Sequence, residues 1–122
     1  MAITLRNVTF TSPDPSHLAD FWAAALGYPE RRDGEEEVLL APQGWGFPRF
    51  SFQRGDRDQV VDDPVHLDLT AADMEAEVAR LLAIGAVRLW TIPAEQSGTT
   101  TWTTMRDPDG NKFCVVQQPA GD

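Results

Sequence analysis

The same order of elements occurs twice along this sequence. Ile3 to Phe10 alternates in character and is rich in β-branched residues, which suits a half-buried strand. In Ser12-Pro13-Asp14-Pro15-Ser16, which follows, Asp and Ser oxygens can satisfy the free N–H groups of a first helical turn. Leu18, Phe21, Trp22, Ala25 and Leu26 recur at three- and four-residue intervals and Gly27 is placed to end the run, so the spacing predicts a helix from Pro15 to Leu26. Further on, Val65 to Thr70 reads as a second alternating strand and Asp73 stands at a helix start. Met74, Val78, Leu81 and Leu82 form the apolar stripe, which Gly85 closes. Asp14 and Asp73 lie 59 positions apart and Gly27 and Gly85 lie 58 apart, so a single slipped residue inside the helix separates the two copies.

Shorter segments that read as strands follow each helix. In the first copy they are Val38 to Ala41 and Arg49 to Gln53, with a further strand expected just after Tyr28; in the second they are Arg88 to Ile92, Thr100 to Arg106 and Lys112 to Gln117. Asp107-Pro108-Asp109-Gly110-Asn111 joins the last two as a hairpin, because proline presets the first turn angle and glycine tolerates the return. The expected class is therefore α+β, a single domain built of two βαβββ modules. Module one covers about residues 1–55 and module two about 64–122, with the polar stretch 56–63 as linker.

Hydrophobic residues make up 42% and charged residues 24% of the 122, which is the balance of a folded domain rather than a disordered chain. The formal net charge of −9, gathered in Glu35-Glu36-Glu37 and in Asp56, Asp58, Asp62 and Asp63, repels a polyanion and excludes nucleic acid as a partner. Cys114 is the only cysteine, so no internal disulfide can form. No apolar signal region follows Met1 and nowhere do about 18 apolar residues run together, so the expected location is the cytoplasm with no membrane contact.

Four short motifs in this order carry a resemblance. They are Asn7-Val8-Thr9-Phe10 followed by Asp14; Phe21-Trp22 with Leu26-Gly27-Tyr28; His66-Leu67-Asp68; and Asp107-Pro108-Asp109-Gly110-Asn111. The chain resembles, over nearly its whole length, the vicinal oxygen chelate superfamily of glyoxalases, bleomycin-resistance proteins and extradiol dioxygenases. That resemblance implies two modules forming an open, curled, mixed barrel-like sheet, with a helix from each module outside and a ligand on the concave side. It also implies a homodimer. The metal-dependent members place one ligand on the first and one on the last strand of each half, and those positions here hold Asn7, Gln53, His66 and Cys114. A catalytic ion usually has three good donors, and the amides of Asn7 and Gln53 bind weakly. Cys114 stands where the family commonly has a glutamate that is both ligand and proton-transfer base, which argues against a glyoxalase I-type isomerase.

No metal or other cofactor is accordingly expected, with His66 the residual candidate for a metal ligand. A lone histidine on a strand is also commonly structural, and Cys114 within Phe113-Cys114-Val115-Val116 suits a small buried hydrophobe. Asp68 shares a strand face with His66, so it could orient the imidazole or act as a base, which makes these two the catalytic candidates. Trp22 belongs to the apolar face of the first helix. Trp45 lies in a loop rich in glycine and proline that could cover a pocket, whereas the faces of Trp90 and Trp102 stay open at this stage. If Gln53 faces a cavity, Phe50 and Phe52 face the helix. The ligand-binding candidates are thus Asn7, Trp45, Gln53, His66, Trp90, Trp102 and Cys114. The expected function is binding or sequestering of a hydrophobic or aromatic small molecule without a full metal site. The alternatives are a metal-dependent lyase, isomerase or dioxygenase, in which His66, Gln53 and water hold the ion, and a structural domain without ligand.

Overall fold

The computed structural model describes residues 5–56, 66–98 and 100–118, and the chain divides into two compact units, residues 1–61 and 62–122. The expected linker therefore lies, from residue 57 onward, outside the described residues, as do Ile3 and Thr4 of the first expected strand.

In module one β1 (Asn7–Ser12) leads into α1 (Pro15–Leu26), followed by β2 (Glu30–Asp33), β3 (Glu37–Ala41) and β4 (Arg49–Arg54). The helix has the expected bounds because its ends are set locally. The Asp14 carboxylate accepts from the His17 N–H, Pro15 presets the first turn, and Gly27 takes φ of 68° while its N–H closes on the Ala23 carbonyl. The sheet order is β1-β4-β3-β2, with β1 and β4 parallel and the other pairs antiparallel. Alternation sends Phe10, Phe50, Phe52, Val38 and Leu40 toward α1, where Trp22 is fully buried with ring centroids of Phe10 at 5.6 Å and Phe50 at 5.4 Å. Phe50 and Phe52 are core, as the strand parity requires.

Module two repeats the plan. It consists of β5 (Leu67–Ala71), α2 (Met74–Ala83), β6 (Val87–Ile92), a single-turn α3 (Ala94–Ser97), β7 (Trp102–Arg106) and β8 (Lys112–Gln117), in the sheet order β5-β8-β7-β6. Asp73 caps α2 by accepting from the Ala76 N–H, and a second free donor of the first turn, the Met74 N–H, finds Gln117 Oε1 on β8 at 2.8 Å. Leu81, Val78 and Met74 bury the helix against Thr103, Met105, Phe113 and Val115.

The Asp107–Asn111 turn is tied by one buried carboxylate. Asp107 accepts from the Asp109 N–H at 3.0 Å, the Asn111 N–H at 2.9 Å and Asn111 Nδ2 at 2.8 Å. Asp107→Ala would leave those donors without their acceptor, and we expect a loss of about 2 kcal/mol in denaturant unfolding, with Asp107→Asn recovering part of it. An unchanged midpoint in Asp107→Ala would show that the turn holds itself.

Several expected strand bounds shift: β3 and β6 begin one residue earlier, at Glu37 and Val87, β4 ends one later, at Arg54, and β1 begins only at Asn7. β1 runs on through Ser12, read as a turn residue, because its ladder with β4 continues to the Ser12–Arg54 pair. β7 starts at Trp102 rather than Thr100, since the Thr101 hydroxyl accepts from the Ala94 N–H and so anchors the start of α3.

Candidate functional site

The face of the module-two sheet turned away from α2 holds a concavity of about 500 Å³. Its lining follows from strand alternation: His66 and Asp68 from β5 and its approach, Lys112, Cys114 and Val116 from β8, Trp102 and Thr104 from β7, Trp90 from β6, with Thr100 at the margin. Register pairs Asp68 with Cys114, Cys114 with Thr104, and Val116 with Trp102, so these side chains stand side by side. The volume lies within the range that accepts a drug-sized molecule.

The side of Trp90 is decided by an irregularity no strand pattern announces. Arg88 pairs with Met105, on the helix side, and Trp90 pairs with Thr104, on the pocket side, so Leu89 is the extra residue of a bulge. Unbulged pairing would put Leu89 opposite Thr104 and turn Trp90 toward α2. The bulge exchanges the two, leaving Arg88 to meet Glu75 of α2 at 3.0 Å and Trp90 half exposed over the concavity, with Lys112 Nζ 5.9 Å from its ring centre.

At one end of the concavity the polar groups converge. His66 Nε2 lies 3.2 Å from Asp68 Oδ1, and the ligating atoms of His66, Asp68 and Cys114 all fall within 4.8 Å of one another. Thr104 Oγ1 and Cys114 Sγ are 3.4 Å apart. Burial pushes the Cys114 thiol up, and the negative Asp68 adds to it, while the hydrogen bond with Thr104 works the other way. Cys114 is thus a protonated thiol at neutral pH and a poor nucleophile. Alkylation by iodoacetamide should stay slow until the pH passes the ordinary thiol range, and Asp68→Asn should raise its rate several-fold at pH 8. Equal rates in the two proteins would remove Asp68 from the thiol's surroundings.

Imidazole nitrogen, carboxylate oxygen and thiol sulfur make a donor set that fits a borderline ion such as Zn²⁺ better than a hard ion, which prefers oxygen throughout. Sequence spacing joins His66 and Asp68, since a one-residue gap puts both on a single strand face, and the structure adds Cys114 to the pair as a third group that could hold an ion.

Asn7, Trp45 and Gln53 belong to module one, the other compact unit. Asn7 is paired with Arg49 and Gln53 with Thr11, so they sit at opposite ends of the β1–β4 ladder. The counterpart of Cys114 in module one is in fact Ser51 and not Gln53. Thr9 and Asp68 are matched by the helix caps; Thr9 pairs with Ser51 as Asp68 pairs with Cys114, and the Gly55 N–H reaches the Ser12 carbonyl as Gln118 reaches that of Ala71. Gln53 then matches Val116. Module one lacks a DPDGN turn to fix the register of its last strand, so sequence could not separate the two choices. Ser51 is buried and donates to Glu37 Oε2 at 2.7 Å, Gln53 adds a bond at 3.2 Å, and the two hold the Glu37 carboxyl below the usual range. Trp45 lies in a 3₁₀ turn, Gln43–Trp45, and carries guanidinium groups of Arg32 and Arg49 near its ring.

Two βαβββ modules, each an open four-stranded mixed sheet with a helix on one face, define the glyoxalase-type α+β class. The Glyoxalase-like domain family model matches residues 7–116, and the chain belongs to that family. Its fold is that of the glyoxalase/bleomycin resistance/dioxygenase group. A structure of that family from Burkholderia phytofirmans matches with TM-score 0.74 at 14% identity, covering 94% of this chain and 98% of the other. A glyoxalase/bleomycin resistance protein from Albidiferax ferrireducens matches at 0.66 and 20%, covering 93% and 98%. A mutant of the fosfomycin resistance protein FosX from Listeria monocytogenes, complexed with Mn(II) and 1S,2S-dihydroxypropylphosphonic acid, matches at 0.74 and 15%, covering 98% and 93%. At these identities the likeness is one of fold. Among curated proteins none matches in sequence. No helix among the described residues is long and apolar enough to cross a membrane.

Proposed function

We propose that the protein binds a small, planar, largely apolar molecule on the open face of module two, without requiring a metal to do so. One observation supports this above the others: Trp90 and Trp102 are brought to the same concave face as Val116, with a polar end made by His66, Asp68 and Thr104. Apolar area from two indoles supplies affinity, and a few polar groups at one end fix orientation. Asp68 and the net charge of −9 favour neutral or cationic rings over acidic ones at this site. The test is a titration of planar neutral and cationic compounds followed by tryptophan fluorescence. Saturable quenching is expected for some of them, and a flat response across a broad panel would overturn the proposal and favour a structural domain.

A second function, a metal-dependent lyase, isomerase or dioxygenase, is favoured by the His66, Asp68 and Cys114 cluster, and FosX supplies a fold relative solved with Mn(II). His66, Asp68 and Cys114 would hold the ion, which would act as a Lewis acid on a substrate oxygen. The glutamate base of glyoxalase I-type isomerases is replaced by Cys114, so that reaction is the least supported of the three. Elemental analysis of protein purified without chelators decides: stoichiometric metal that vanishes in His66→Ala establishes this second function, and metal-free protein that still quenches establishes the first. Family likeness further supports a cytoplasmic homodimer, for which sedimentation at low concentration should give twice the chain mass; monomer alone would refute it.

A further inference from the structure

We infer that module one carries an oxyanion-binding site of its own, formed by Arg6, Arg32 and Arg49 around the aromatic loop that joins β3 to β4. Its occupant is a small molecule bearing a carboxylate or phosphate group. This goes beyond the binding proposed for module two, since it concerns other residues and the opposite charge.

Three guanidinium groups are gathered on two rings. Arg32 lies 4.9 Å and Arg49 5.7 Å from the centre of Trp45, while Arg49 lies 4.6 Å and Arg6 5.5 Å from the centre of Phe47. In a chain with 19 acidic residues against 10 basic ones, arginines are expected to find carboxylates. Arg31, Arg54, Arg80 and Arg88 do so, with Asp20 and Asp33, Glu36, Glu77 and Glu75. Arg6, Arg32 and Arg49 make no ion pair among the described residues. On the same strand Asp33, next to Arg32, pairs with Arg31, and Glu30, two residues from Arg32 on the same face, accepts from the Gly44 N–H at 2.8 Å.

Stacking on a ring uses the face of a guanidinium and leaves its N–H edge outward, which is the edge that grips an oxyanion. Arg49 donates from Nε and Nη2 to the carbonyls of Gly46 and Trp45, so it is fixed in place and keeps its Nη1 hydrogens and one on Nη2 to offer. Among the described residues Arg32 makes no hydrogen bond that would use its donors, and register puts it across from Leu39 on the face away from α1.

The loop itself is held rather than loose. Glu30 ties Gly44, Arg49 ties Trp45 and Gly46, and Tyr28 donates to the Pro48 carbonyl at 2.9 Å. Within it Trp45 takes φ of 59°, a left-handed conformation that a bulky residue adopts only when its surroundings impose it. Phe47, stacked by two arginines, is nonetheless half exposed. Backbone strain and an exposed aromatic in the loop thus meet three arginines, from β2, the start of β4 and the approach to β1, that are unpaired among the described residues, which is the pattern of a prepared recognition site rather than of a solvated surface.

The test is a titration of the whole chain, in neutral low-salt buffer, with inorganic phosphate in one arm and benzoate in the other. Shifts of the Trp45 indole and of the Gly44 and Gly46 amides in the ¹H–¹⁵N spectrum are read. At least one anion should saturate these shifts, Arg32→Gln should weaken that binding about tenfold or more, and added salt should weaken it further. Arg88→Gln, which removes an ion-paired arginine of module two, should leave it unchanged. Tighter phosphate indicates a bare oxyanion, and tighter benzoate an acid carried on a ring. Absence of saturable shifts with both anions, or equal affinity in Arg32→Gln protein of native circular dichroism, would overturn the inference. Neither outcome touches the quenching by neutral or cationic rings expected of module two.

Discussion

Trp22→Ala should cost about 3–5 kcal/mol in unfolding free energy, the range for removing a large aromatic from a packed core. Trp22 is wholly buried on α1 between Phe21, whose ring centre is 5.2 Å away in an edge contact, and the strand rings Phe10 and Phe50. Phe10, Phe50 and Phe52 are themselves in mutual contact at 5.3 to 6.3 Å, so the indole is the piece through which the helix grips the sheet. A sheet braced by three mutually packed aromatic rings cannot collapse far into the space an indole leaves, which places the cost toward the upper part of the range. Domains of this size are stable by about 5–15 kcal/mol, so the variant should melt markedly lower and populate unfolded chain in mild denaturant. Trp22→Phe, which keeps a ring, should recover about half. A denaturation midpoint for Trp22→Ala within error of the parent protein would mean that α1 is held by something other than this cluster.

How legible the fold was depended on whether its causes were local. Both helix starts could be read because Asp14 and Asp73 act within three residues of themselves, and the final hairpin because Asp107 to Asn111 closes on its own groups. The pairing of β1 with β4 and of β5 with β8, parallel in both cases, depends on partners more than 40 positions away, and no propensity encodes it. Register followed the same divide. Cys114 could be placed because it comes three residues after Asn111 in a turn-anchored strand, whereas Ser51 was passed over for Gln53 because nothing local pins β4.

The site shows the same division between pattern and context. His66 and Asp68 could be joined from the sequence by their spacing, and the 3.2 Å contact follows from it. The side of Trp90 could not, since a bulge at Leu89 reverses the alternation that would otherwise turn it to the helix. Trp45 lies in the glycine- and proline-rich loop that its composition announces, but the partnership of its ring with Arg32 and Arg49 is one that only folding brings together. Lys112 has no distinguishing pattern in the sequence, because a single lysine on a strand is ordinary, yet it lines the concavity.

Trp102→Ala should weaken binding of a planar ligand at module two by about fiftyfold or more, equivalent to roughly 2.3 kcal/mol. Trp102 stands between Val116 on β8 and Ile92 on β6 in the register of the sheet, so its indole is backed by apolar neighbours and can keep one orientation. Trp90 is more exposed, and its ring is already approached by Lys112, which makes it the weaker of the two contacts; Trp90→Ala should cost fivefold to tenfold. Neither change should disturb folding as Trp22→Ala does, because both rings lie on the face away from α2, where the core residues Met105, Phe113 and Val115 do not reach. Isothermal titration with the tightest compound of the fluorescence panel, on each variant of unchanged melting temperature, provides the measurement. A larger loss for Trp90→Ala than for Trp102→Ala would move the ligand toward the β6 edge, and no loss for either would remove it from this face altogether.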